Sequence, residues 1–111
     1  MKKTNISTNP LKSEGVVTVN GTEYKIEFNM RGLSDAEDAT GLSLITGLSQ
    51  TQMQQPRIKL VWALFYGLAK KHTPSLTYDA VQDLVTPLNL KDIWQPVIEV
   101  YLSAWQAPKN E

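Results

Sequence analysis

The stretch VVTVNGTEYKIEF, residues 16–28, decides the fold class. Asn20-Gly21 suits a two-residue type I′ turn, in which both central positions need positive φ. The pairing imposed by that turn sets Val19 opposite Thr22 and Val17 opposite Tyr24, with Ile26 and Phe28 continuing the same face. Thr18, Glu23, Lys25 and Glu27 fall on the other face, so turn chemistry and alternation specify one register. A lone hairpin is marginal in water, and its apolar face needs a cover. The chain downstream reads with helical period, so the expected fold is α+β, an N-terminal hairpin packed on about four helices.

Asn29 and Ser34 are both candidate N-caps for a first helix over about 30–40, which Gly41 ends; Gly32 weighs against the earlier start. Residues 42–48 form a short apolar piece of one or two turns between Gly41 and Gly47. SQTQMQQP, residues 49–56, reads as a polar linker. Pro56 suits the first position of a long helix over about 56–72, which contains VWALFYGLAKKH, residues 61–72. At roughly 100° per residue, Ile58, Val61, Trp62, Phe65, Leu68 and Ala69 share a stripe that Leu60 and Leu64 widen. The resulting arc of around 200° is about twice that of an ordinary surface helix. Lys59, Ala63, Tyr66, Gly67 and Lys70 are left for solvent. Such a helix is either central in its own domain or also touches a second chain.

Thr77 caps a third helix over about 77–86, with Asp79 in its first turn and Ala80, Val81 and Leu84 inward. Asn89 caps a last one over about 90–106, with Asp92 in a capping-box-like position. Leu90, Ile93, Trp94, Val97, Tyr101, Ala104 and Trp105 share its apolar face. Pro96 falls on the polar side, where a bend or a late helix start is expected. Residues 1–14 read as a flexible tail, 15–107 as one domain and 108–111 as a C-terminal tail.

Several chemistries are excluded by composition. The 111 residues include no cysteine and one histidine. Disulfides, thiolate metal sites and cysteine nucleophiles are therefore absent, and histidine-pair catalysis is not expected. Eleven basic and eleven acidic side chains give zero formal net charge, which supplies no long-range attraction to nucleic acid or an anionic membrane. No apolar run approaches the roughly 20 residues that span a bilayer, and no apolar segment follows Lys2-Lys3 as a secretory signal would require. A soluble intracellular protein is the default expectation.

No constellation of an active site stands out, so no catalytic, metal or cofactor residues are assigned. Asp35, Glu37 and Asp38 read as a solvated helix face rather than a general acid–base pair. Asp79 and Asp83, one turn apart, have a spacing common on helix surfaces. Lys70, Lys71 and His72 complement the C-terminal dipole of the long helix. Trp62, Trp94 and Trp105 read as core fillers or as anchors for a partner, where tryptophan is enriched. Leu60 and Leu64 on one flank of the long helix, and Tyr66 on the other, are the further partner-binding candidates.

The order of elements resembles a known family. The NG hairpin is followed by Glu37-Asp38-Ala39-Thr40-Gly41-Leu42-Ser43, an E-x-x-T-G-x-S pattern, then by VWALFYGLAKKH, a capped TYDAVQDLV helix and a terminal amphipathic helix. Over residues 16 to about 106 this is similar to the tail assembly chaperones of long-tailed bacteriophages, including relatives in prophages and gene transfer agents. The resemblance implies a non-enzymatic helper in the host bacterial cytoplasm, absent from the mature virion. It would bind the tape measure protein and help recruit tail tube subunits during tail morphogenesis. No cofactor is expected, and the neutral charge and short apolar runs give no expectation of nucleic acid or membrane as partners; self-association into a homo-oligomer is compatible with the resemblance. The glutamine-rich linker and Pro96 depart from the family pattern. Two other readings of the chain are a minor tail or head–tail connector protein retained in the virion, and a small nucleic-acid-binding regulator.

Overall fold

The computed structural model of the chain describes residues 8–9 and 13–105. Asn20 and Gly21 have φ values of 52° and 81°, the left-handed pair that a type I′ turn needs. They join strands β2 (Glu14–Val19) and β3 (Thr22–Glu27), which are antiparallel with Val19 opposite Thr22 and Val17 opposite Tyr24. Val17, Val19 and Ile26 are buried, whereas Thr18, Glu23 and Lys25 are exposed. The register read from the turn is the observed one.

A two-residue strand β1 (Thr8–Asn9) pairs with Glu14 and Gly15 along the other edge of β2, giving a three-stranded sheet of order β1-β2-β3. The stretch 1–14 is therefore not wholly a tail. The free edge of β2 offers unpaired backbone groups, and these draw in a strand whose sequence carries no apolar alternation. The remainder of 1–14 and the expected tail 108–111 lie outside the described residues.

Helix α1 (Met30–Thr40) is capped by Asn29, whose Oδ1 accepts from the Gly32 N–H at 2.6 Å while its Nδ2 donates to the Glu27 carbonyl at 2.9 Å. One side chain thus ends the hairpin and starts the helix. Gly32, which weighs against an early start by propensity, is required there by packing. A Cβ on it would lie 2.0 Å from the Gly67 carbonyl oxygen. The backbones of α1 and α3 (Ile58–Ala69) cross at these two glycines.

Helix α3 is the spine of the molecule, in contact with α1, the sheet, α4 (Tyr78–Leu84) and α5 (Leu90–Ser103). Ala63 and Gly67, assigned to solvent by the helical wheel, are buried because α1 runs over them. Ile58, assigned to the core, is 43% exposed, since it stands at the first turn beyond the reach of the other elements. The helix begins at Ile58 with Arg57 as N-cap, which places Pro56 just outside it.

Helix α5 lies across β2 and α3, and buries Ile93, Trp94, Val97, Ile98, Val100 and Tyr101. Pro96 sits inside this unbroken helix and is buried, not on a polar side, because the sheet and α3 cover more of α5 than its apolar stripe indicates. Asn89 does not cap α5 with its side chain. Its Oδ1 accepts from the Thr86 N–H and its Nδ2 donates to the Leu84 carbonyl, closing the turn out of α4. The linker at 49–56 holds a one-turn helix, α2 (Gln50–Gln54), with a reciprocal capping box between Ser49 and Gln52. The architecture is α+β, a sheet covered by helices, four of which have seven residues or more.

Candidate functional site

The E-x-x-T-G-x-S stretch fastens a loop. Gly41, at φ 77°, stops α1 and donates its N–H to the Glu37 carbonyl at 2.7 Å. The chain then turns back over the last turn of the helix. Glu37 Oε2 accepts from the N–H groups of Leu44 and Ile45, at 2.7 and 3.2 Å. Thr40 Oγ1 donates to the Ala36 carbonyl and accepts from the Leu42 N–H. Leu44 is fully buried, and its carbonyl accepts the Tyr101 hydroxyl from α5. Burial raises the pKa of that hydroxyl, which keeps it a donor. The residues 42–48 are accordingly an irregular loop rather than a short helix, and buried backbone groups outside a helix need such partners. Glu37, on α1, is half-buried and serves this loop as an acceptor instead of forming part of a solvated face.

The loop, α2 and the first turn of α3 enclose a groove of about 440 Å³. Leu42 and the almost fully buried Leu60 form its floor, Thr46, Thr51 and Gln52 its wall, and the exposed Arg57 and Lys59 its rim. No residue of helix α2 is fully buried; the helix is held by the Trp94 indole N–H donating to the Met53 carbonyl at 2.9 Å and by the partly buried Met53 packed against the core. The wall is legible in the sequence as Ser49-x-x-Gln52, a capping box hidden in a glutamine-rich stretch. Reading that stretch as a linker missed it.

The six partner-binding candidates do not form one patch. Leu60 is 4% exposed and serves as groove floor. Leu64 is wholly buried and is part of the core, so its assignment to a partner surface is corrected: on that flank α3 is already covered by its own chain. Trp94 is 8% exposed and acts on the groove through α2, not by offering its ring. Trp105 is 47% exposed and stands against Tyr101 with ring centroids 5.9 Å apart. Trp62 and Tyr66 lie together, both edge-on to Tyr78 of α4 at 6.3 and 5.9 Å. The Trp62 indole N–H and the Tyr78 hydroxyl are buried there without a hydrogen-bond partner among the described residues, and burial raises the Tyr78 pKa.

Lys70, Lys71 and His72 are engaged at the end of α3, and not through the helix dipole alone. The Lys70 ammonium donates to the carbonyls of Pro74 and Leu76 and lies 5.3 Å from the Tyr66 ring centroid. Lys71 Nζ and His72 Nε2 are each 2.8 Å from one oxygen of Glu27 on β3. The Glu27 carboxyl is held below its ordinary range, first by the Lys71 hydrogen bond and then by His72. This clasp ties the sheet to α3. A second cavity, of about 500 Å³, lies beside it, with Arg31, Asp35, Lys70 and Lys71 in its lining.

No group of three or more His, Cys, Asp or Glu side chains among the described residues is placed to hold a metal ion. No helix among them is long and apolar enough to cross a membrane. What the groove offers is binding chemistry: an apolar floor, neutral hydrogen-bonding walls and two cations. Comparison with family models, with curated proteins and with solved structures yields no match to the chain.

Proposed function

We propose that this chain is a non-enzymatic tail assembly chaperone, which binds the tape measure protein of a long-tailed phage and helps recruit tail tube subunits. The observation that carries the reading is the order of the hairpin, the E-x-x-T-G-x-S stretch and the three helices that follow it. The groove adds support. In the E-x-x-T-G-x-S stretch, Glu37 and Thr40 fasten the loop that walls an apolar-floored groove beside the spine helix. An apolar floor with polar walls suits one face of a client helix. The test is co-expression with the tape measure protein encoded in the same genome. The expected outcome is a soluble complex that co-purifies, with the chain missing from purified virions by mass spectrometry. Failure to bind or solubilise that protein overturns the reading, and retention in the virion converts it to a structural tail component.

A further inference from the structure

We infer that the groove between the 42–47 loop, α2 and the start of α3 selects an acidic amphipathic helix of its partner. This rests on the chaperone reading for the identity of the partner, and on the groove alone for its chemistry. The floor is aliphatic, through Leu42 and Leu60. Among the described residues that line the groove, Arg57 and Lys59 are the ionisable ones, both cationic and exposed, and there is no carboxylate. The Glu37 carboxylate is not part of that lining, and its Oε2 is occupied by the Leu44 and Ile45 amides. The chain as a whole is neutral, so this local excess of positive charge is a property of the groove.

The first turn of α3 adds to it. Arg57 as N-cap makes no side-chain hydrogen bond to that turn, so the partial positive charge of the helix start is not offset by a capping oxygen. A partner helix that sets leucine-like side chains on the floor and glutamates along its flank meets both features. Its carboxylates would pair with Arg57 and Lys59, while Thr46, Thr51 and Gln52 can hydrogen-bond its polar edge. A basic helix would meet two like charges at the same rim. The α2 wall is anchored from behind, by the Trp94 indole on the Met53 carbonyl and by Met53 packed against the core, so its exposed Thr51 and Gln52 remain free to face a partner.

The experiment uses the full chain and two fluorescent helical peptides of about four turns, alike on their leucine face, one with glutamates and the other with lysines on the flanks. Binding is read by anisotropy, and its location by amide shifts of Leu42, Thr46 and Gln52. The acidic peptide should bind about fivefold or more tighter at low salt, the scale of two rim ion pairs. The gap should shrink as added salt screens them. Arg57→Glu/Lys59→Glu should reverse the preference, and Thr51→Trp, which fills the groove from an exposed position, should weaken both. Equal binding of the two peptides, binding of neither, or indifference to the double reversal overturns the inference. If the tape measure protein binds the double variant as well as the original chain, the chaperone role stands and this inference falls. If the acidic peptide docks in the groove but the tape measure protein does not bind, the reverse holds.

Discussion

Replacing Gly32 by alanine should destabilise the protein, although the same change inside an ordinary helix stabilises it by about 1 kcal/mol. The added Cβ would sit 2.0 Å from the Gly67 carbonyl oxygen and 2.7 Å from Asn29 Oδ1. The first contact is with backbone, which has no rotamer to move, so α1 and α3 must separate by more than an ångström. Overpacking of a tight core seam costs about 1–3 kcal/mol and sometimes more. Displacing Asn29 from its capping position adds about 1 kcal/mol. Set against the propensity gain, the net loss is about 2 kcal/mol, or about 8 °C in Tm for a chain of this size. Thermal melts followed by circular dichroism would measure it, with Ser34→Ala as the control. Ser34 is exposed on the same helix, and its replacement should leave Tm unchanged or slightly raised. Gly67→Ala, whose Cβ would meet Gly32 O at 3.0 Å and Ala36 Cβ at 3.2 Å, should cost less. A Gly32→Ala protein that melts at or above the original would refute the close crossing, and with it the placement of α1 over the spine.

Glu37→Ala removes the acceptor of two loop amides and should cost about 2 kcal/mol; hydrogen exchange should quicken at Leu44 and Ile45 before it does in the sheet. Leu64→Ala should cost about 3 kcal/mol by chemical denaturation, and Leu64→Asp should abolish the cooperative transition, whereas Tyr66→Asp, at a half-buried position, should leave the protein folded. The Glu27 clasp predicts a pH effect with a definite sign. Because the carboxyl is lowered in the folded state from its ordinary 4.5, its contribution is present above that value and lost as pH falls through the lower folded one. Melting temperature against pH should therefore fall less steeply below about pH 4.5 in Glu27→Gln, and an unchanged slope would show that the clasp adds nothing.

The parts of this protein that the sequence determined are those where cause and effect lie within a few residues. The turn at Asn20-Gly21 sets the hairpin register because two positive φ values allow one pairing. Thr77 caps α4 through the Ala80 N–H, and Gly41 stops α1, each by a bond or a backbone angle available locally. Asn29 was legible as one of two possible caps, and Gly32 by its propensity pointed to the other.

Only the tertiary structure decided that question, because the crossing with Gly67 lies far along the chain and no local rule contains it. The same limit explains α3. Its wheel shows how wide the apolar arc is, but not that α1 covers Ala63 and Gly67 or that Leu64 is entirely enclosed. Pro96 is buried for the same reason. The groove also needed the fold, since its floor, wall and rim come from three segments that the core brings together, with Tyr101 bonded to the Leu44 carbonyl and Trp94 to α2. A residue's propensity and capping are set by its neighbours in sequence, whereas its burial depends on which surfaces meet, and that is decided when the elements pack.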